Sequence, residues 1–363
     1  MIRILQCVNN MHRAGLETVL MNYYRNIDRT RIQFDFLMHR PERSEYDDEI
    51  EAMGGRIFRA PRLYPQNYPA YFRFMKQFFR DHSEYRVVHS HIDSMSYLPL
   101  LAAKHAGVPV RIAHSHSTSI DLDMKYPLKQ LFRFGLTSVA THYCACGVKA
   151  GEFLFRGADY QLIANAVEGD RFRYNEVIRE EKRHELGLDN ALVIGHAGRL
   201  TYAKNHEFLL RLFESLHLRR PDAVLLLAGK GEKEMELRRL ARELGIKEYV
   251  MFLGSRNDMN ELYQAMDVFV MPSLFEGVPV VGIEAQLSGL PCIFSNKVPE
   301  EVRLTDQCSF LDLQASIDSW IDAIFSALCR TRSTPENGFR YYDAKHAVAV
   351  LEKYYEQLWL AER

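Results

Sequence analysis

The chain has 363 residues, comfortable for two domains. Its formal net charge of −1 and its ordinary fractions of apolar (47%) and charged (26%) residues exclude a global basic field, and with it nucleic acid as the expected partner. No apolar run approaches the ~20 residues that cross a bilayer. The start, Met1-Ile2-Arg3-Ile4-Leu5, lacks a signal peptide's apolar region, and Cys7, Cys144, Cys146, Cys292, Cys308 and Cys329 show no metal-ligand spacing, so buried reduced thiols in a cytoplasmic protein are expected.

In chain order, Ile2 to Val8 is a short apolar strand, Asn9 to Gly15 a loop, and Leu16 opens an amphipathic helix. Strand, glycine-containing loop and helix form the first unit of a doubly wound sheet, although G-x-G-x-x-G is absent. Strands are predicted at Phe34 to Met38, Gly55 to Phe58, Arg86 to His91, Val110 to His114 and Tyr143 to Cys146. Helices are predicted at Tyr46 to Met53, Ser96 to His105, Leu131 to Thr141 and Lys149 to Phe155. The stretch Asn67 to His82 reads as a helix with an aromatic stripe and Arg73, Lys76 and Arg80 opposite; a core helix with a solvated face is the plain reading, membrane contact the alternative. His89 with His91, and His114 with His116, fall at strand ends, where open α/β sheets place ligands. Alternate residues share a face, but no Cys or acidic partner stands at ligand spacing, so a metal is not expected there.

After Gln161 to Ile163 the alternation begins again. Strands are predicted at Leu192 to Ala197, Ala223 to Ala228, Val250 to Gly254 and Val268 to Met271, with helices from His206, from Lys233 to Leu244 and from Met259 to Ala265. Strands alternating with helices twice over predict two α/β domains. The loop Gly198 to Asn205 carries Arg199 and Lys204; at a strand end these can grip a diphosphate, Arg by its planar fork and Lys as a point charge, with surface salt bridging as the bland reading. The tail, Tyr341 to Leu360, is helical.

The densest stretch is Asp267 to Ser295. Its apolar strand ends at Pro272, and Glu276-Gly277-Val278-Pro279 makes a turn into a helix on which Val280, Val281, Ile283 and Leu287 would face the sheet. Gly289-Leu290-Pro291 stops that helix before the strand Cys292-Ile293-Phe294. A helix N-terminus suits a phosphate. Glu276 and Glu284, separated by seven residues, would repel that phosphate unless they accept hydrogen bonds from hydroxyls, which suggests a nucleotide sugar.

Phe275-Glu276-Gly277-Val278-Pro279, then Glu284-Ala285 and Ser288-Gly289-Leu290-Pro291, resembles the EX7E segment of family 4 glycosyltransferases, retaining enzymes of the GT-B fold. Gly198-Arg199-Leu200 followed by Lys204-Asn205 matches the family's phosphate loop, with Asn where Gly is commoner. Asn165-Ala166-Val167 resembles its interdomain linker, with Ala164 and Ala166 in place of the usual Pro and Gly. Arg111-Ile112-Ala113-His114-Ser115-His116 is similar to bacterial exopolysaccharide enzymes.

The resemblance implies an α/β protein of two Rossmann-like domains facing a deep cleft. Residues 1–165 would bind the acceptor and 168–340 the donor, with the helix 341–363 crossing back to the first domain. It implies transfer of a sugar from a nucleoside diphosphate donor, UDP being expected, to a saccharide or lipid-linked oligosaccharide in exopolysaccharide synthesis. A nucleotide-sugar epimerase or a non-catalytic nucleotide-sugar sensor is the alternative. Arg199 and Lys204 would meet the diphosphate and Glu276 the sugar hydroxyls. Gly277, Val278, Pro279 and Val280 would frame the helix start, and Glu284 would meet the ribose. Gly15 would face the donor phosphates, and His116, or alternatively His114, would stand by the sugar. Arg256-Asn257-Asp258 would lie near the base. No metal and no cofactor beyond the nucleotide sugar are implied; Asp121-Leu122-Asp123, which resembles the D-x-D of another class, reads as solvated. A lipid-linked acceptor implies peripheral contact with the inner membrane face.

Overall fold

The computed structural model describes residues 1–120, 125–335 and 339–362; the Asp121-Leu122-Asp123 expectation lies outside them. The chain divides into two compact units, Met1–Ala166 with Ala344–Arg363, and Val167–Asp343. Each is built on one sheet whose paired strands are all parallel, covered by helices.

In the first unit the strands are β1 (Ile2–Val8), β2 (Ile32–Met38), β3 (Ile57–Arg59), β4 (Val87–Ser90), β5 (Val110–Ser115), β6 (His142–Ala145) and β7 (Gln161–Leu162). Their order is β3-β2-β1-β4-β5-β6-β7. The order reverses between β1 and β4, and loops leaving adjacent strands there part to opposite faces and open a crevice. The core packs Leu5, Leu37, Val88 and Ala113 of the strands against Tyr71, Met75, Phe78 and Leu100 of the helices.

Helix Ala344–Ala361 completes this unit. Its buried stripe, Ala344, Ala347, Val348, Leu351, Tyr355 and Leu358, has helical periodicity. The linker's approach is pinned, since Tyr23 Oη donates to the Ala164 carbonyl at 2.7 Å and Asn22 Nδ2 to that of Ala166 at 2.7 Å.

The basic aromatic segment is helix Tyr68–Asp81, and it turns Tyr71, Met75, Phe78 and Phe79 into the core. Its aromatic face is thus occupied by packing, and Arg73, Lys76 and Arg80 form the exposed side. The helix expected at Leu131 to Thr141 instead spans Tyr126–Gly135 and tightens into a 3-10 turn at Leu136–Ser138. Pro127, tolerated in the first turn, marks the earlier start.

The second unit holds β8 (Leu192–Ala197), β9 (Ala223–Ala228), β10 (Val250–Gly254), β11 (Val268–Met271), β12 (Cys292–Ser295) and β13 (Cys308–Leu311) in the order β10-β9-β8-β11-β12-β13. Here the reversal lies between β8 and β11, paired through Val268 with Ile194 and Phe269 with Gly195. All six cysteines are free thiols; five are buried, but Cys329, beyond the end of helix Ile317–Leu328, is exposed, contrary to expectation.

Candidate active site

The two charged loops of the second unit leave the ends of β8 and β11, the strands at its reversal point. Glycines let the β8 loop pack backbone to backbone on the loop that follows β9. A Cβ on Gly229 would stand 2.0 Å from the Gly198 carbonyl oxygen, and one on Gly231 2.3 Å from that of Leu200. Gly198 N–H to Ala228 O (2.9 Å) and Leu200 N–H to Lys230 O (3.0 Å) tie the β8 loop to the end of β9 and its loop, and Leu274 N–H to Ala203 O (2.7 Å) ties it to the β11 loop.

Gly198 has φ +154°, and a Cβ there would meet Lys204 Cε at 3.0 Å, so this glycine clears the path of the lysine chain. Asn205 sits in the left-handed region at φ +54°. Only Gly visits that region without cost and Asn is among the next best, which accounts physically for the Asn/Gly alternation at this position.

Lys204 Nζ lies 2.7 Å from Glu276 Oε1, both side chains mostly buried. The residues expected to serve phosphate and sugar therefore pair with each other. Arg199 is exposed and makes no ion pair among the described residues. Pro279 is the N-cap of helix Val280–Leu287 rather than part of its first turn. Nor does one face of that helix meet the sheet: Val280 and Gly282 to Leu287 are all buried, with Val281 half-exposed, because the helix is enclosed on nearly every side. Gly277 and Val278 are also buried.

Glu284, on this helix, is 6% exposed. Burial pushes its carboxyl up to about 7, against the opposing pull of the Tyr263 hydroxyl and Arg171. Tyr263 Oη donates to Glu284 Oε2 at 2.9 Å. In the turn after β10, Arg256 makes a two-pronged bond to Asp258, 2.8 Å from Nε to Oδ1 and 2.5 Å from Nη2 to Oδ2, so its guanidinium is held by its own loop.

Sequence reasoning missed Tyr263, His196 and His206. His196 bonds through Nδ1 to the Val270 carbonyl at 2.8 Å and meets His206 edge-on at 4.6 Å between ring centres. Burial holds His196 down to about 4 and His206 down to about 2, with the Lys204 charge adding to both. The available signal was a polar residue inside the apolar run of β8 and another opening the next helix.

In the first unit, Gly15 begins helix Gly15–Asn26 and is exposed; a Cβ there would meet nothing within 4 Å, so packing does not require the glycine. The four histidines expected at strand ends meet across β4 and β5. His89 Nε2 lies 3.1 Å from His114 Nδ1, and His91 Nδ1 lies 3.0 Å from His116 Nε2. His89, His91 and His114 are buried, and His116 alone is partly exposed. Burial keeps all four far below the ordinary imidazole range, His116 at about 3, so they are neutral.

Two groups bring ligand atoms within 4.8 Å of one another: His91, His114 and His116, and His89, His114 and Cys144. The His114 and His116 rings stack at 4.1 Å with 23° between planes. Nearly parallel rings aim their in-plane lone pairs side by side, a poor match to the converging ligands of a tetrahedral ion.

Residues 178–326 match the family described as glycosyl transferases group 1. The chain is 37% identical over 370 residues to the putative glycosyltransferase EpsF of Bacillus subtilis (strain 168), covering 97% of this chain and 96% of that protein. It is 29% identical over 254 residues to the UDP-Gal:alpha-D-GlcNAc-diphosphoundecaprenol alpha-1,3-galactosyltransferase of Escherichia coli, covering 66% of each. Among solved structures, Anabaena Alr3699/HepE in complex with UDP-glucose matches in fold with a TM-score of 0.82 at 18% identity, over 98% of this chain and 100% of that one. With two parallel-sheet units and glycosyltransferase relatives along nearly its full length, the chain belongs to the group 1 glycosyltransferases of the GT-B fold.

Proposed function

We propose that the protein is a retaining, metal-independent glycosyltransferase. It moves a sugar from a UDP-sugar to a saccharide or lipid-linked oligosaccharide acceptor in exopolysaccharide synthesis. The observation that carries the reading is the convergence of Arg199, the Lys204–Glu276 pair, buried Glu284 and the start of helix Val280–Leu287 at one strand-order reversal. Cations and a helix N-terminus meet a diphosphate, and they stabilise the charge that grows on it as the glycosidic bond breaks. Lys204 would turn from Glu276 toward the phosphate, and Glu276 would accept from the sugar hydroxyls. Glu284, with one oxygen already held by Tyr263, would accept from the ribose. His116, neutral and the accessible member of its group, would accept or donate a hydrogen bond at the sugar, which favours it over buried His114.

The names of a relative that uses UDP-Gal on a diphosphoundecaprenol-linked sugar and of a fold neighbour holding UDP-glucose support the donor and acceptor classes. Peripheral contact with the inner membrane face would then rest on exposed basic residues such as Arg73, Lys76 and Arg80. The test is incubation with UDP-, GDP- and ADP-sugars, with and without lipid-linked acceptors. Acceptor-dependent release of UDP with retention at the anomeric carbon is expected. Acceptor-independent conversion of the sugar would make the protein an epimerase, and tight UDP binding without turnover a sensor.

A further inference from the structure

The four histidines share one hydrogen-bond chain with Gln6 and with Tyr355 of the last helix. Gln6 lies on β1 and its side chain is fully buried. Its Nε2 donates to Tyr355 Oη at 3.1 Å, and its Oε1 lies 2.8 Å from His91 Nε2. Tyr355 Oη also lies 2.7 Å from His89 Nδ1. One arm therefore runs Gln6–His91–His116, and the other Gln6–Tyr355–His89–His114.

Neutrality makes the first arm directional. A neutral imidazole carries one N–H and one bare nitrogen, and an amide oxygen only accepts. The proton of His91 must then sit on Nε2 to reach Gln6 Oε1. His91 Nδ1 is left bare, and it bonds to His116 only if His116 Nε2 carries the proton. The remaining nitrogen of His116, Nδ1, becomes an acceptor. Reversing the amide of Gln6 would invert every one of these assignments, so the state of His116 depends on a residue that does not touch it. Tyr355 is the group that the amide nitrogen faces.

We propose that Gln6, anchored by Tyr355, is a positioning residue that fixes His116 as the Nε2–H tautomer and so presents Nδ1 to a sugar hydroxyl as an acceptor. This rests on the reading of His116 as the residue beside the sugar. His116 then orients a hydroxyl and does not donate a proton to the leaving group.

Two-bond nitrogen–proton correlation spectra of the full chain labelled with nitrogen-15 histidine read the tautomers directly, with His116→Asn and His91→Asn assigning the signals. The wild type should show both His91 and His116 as Nε2–H. A proton on Nδ1 of His116 overturns the proposal without any variant having to fold. Tyr355→Phe removes one hydroxyl, and Gln6→Leu removes the amide at similar volume. Each should mix the tautomers of His116 and lower kcat about ten- to a hundredfold, with KM for the donor and UDP affinity unchanged, since geometry at the sugar is what is lost. Gln6→Glu, whose carboxylate accepts from His91 Nε2–H as the amide oxygen does, should keep the Nε2–H tautomer. Retention of a single Nε2–H signal in both Tyr355→Phe and Gln6→Leu also overturns the lock. If the tautomers shift as expected while neither these variants nor His116→Ala change turnover, the lock stands and the placement of His116 at the sugar falls.

Discussion

Replacing Glu284 by Gln should stabilise the unliganded protein in alkali and leave it nearly unchanged in acid. The carboxyl is 6% exposed, and burial raises it from the ordinary 4.5 to about 7. Because the folded value lies above the unfolded one, the native state holds a proton that the unfolded state has released between those two values. Stability therefore falls as pH rises through that window and stays at the lower level above about 7. The interval from 4.5 to about 7, at about 1.4 kcal/mol per pH unit, integrates to about 3 kcal/mol lost by the wild type. Gln remains neutral throughout, and its carbonyl can still accept from Tyr263. Of the two tryptophans, Trp320 is fully buried in the second unit, so its fluorescence in a Trp359→Phe background follows that unit's unfolding in urea. The variant should exceed its parent by about 3 kcal/mol near about pH 8.5 and match it near about pH 4.5. An equal difference at both pH values, or a less stable variant in alkali, would refute the reasoning. The same substitution should weaken uridine and UDP by similar factors, because the proposed partner is the ribose.

Lys204→Ala and Arg199→Ala should each weaken UDP about ten- to a hundredfold by calorimetry and uridine little, as loss of a charge-assisted bond predicts; parallel weakening would misplace the phosphate grip. Lys204→Ala also leaves Glu276 without its 2.7 Å partner, so adding Glu276→Gln should restore part of the UDP affinity. His116→Ala should lower turnover with UDP binding nearly intact; equal losses in both would remove it from the sugar. Activity should survive EDTA, and loss restored by Mg²⁺ or Mn²⁺ would show that charge neutralisation needs an ion. Replacing Arg73, Lys76 and Arg80 together by Gln should release the protein from anionic vesicles without unfolding it; unchanged sedimentation would remove the basic face from membrane contact.

Continuous apolar runs made most of the second unit readable. Val268–Met271 and Ala223–Ala228 are strands buried in the middle of α/β layers, where no alternation is needed, and Val250–Gly254 carries a like apolar run although it lies half-buried at the sheet edge. Helix Glu176–Leu186 was silent for the opposite reason. The residues it buries are Lys182 and Arg183, held by Asp258 and by Asp267, and no apolar periodicity marks it. Strand β13 has four residues at a sheet edge, too few to display a pattern. Helix Ile317–Leu328 was legible and was overlooked: Ser316 caps it, and Trp320, Ile321 and Ile324 recur at helical spacing.

At the candidate site, motif spacing singled out Arg199, Lys204, Glu276 and Glu284, but not their contacts. The Lys204–Glu276 pair joins residues 72 apart, on loops that leave the neighbouring strands β8 and β11. The histidines were visible as two pairs, and only the side-by-side placement of β4 and β5 interleaves them.

The second unit is an insertion within the first. Val167 and Asp343 form a parallel bridge, and Val167 N–H donates to the Tyr342 carbonyl at 2.8 Å, so the chain enters and leaves that unit at neighbouring points. During synthesis, residues 167–343 leave the ribosome as one uninterrupted stretch and can fold while the first unit still waits for its final helix. Until that helix arrives, Phe34 lacks the Tyr355 ring it meets edge-on at 6.0 Å, and Gln6 and His89 lack its hydroxyl. The first unit, begun before the second, is thus finished after it. Competence at the histidine chain is deferred until helix Ala344–Ala361 has been made, and a chain cut shortly after Asp343 would carry an intact second unit and a first unit with an uncovered apolar face.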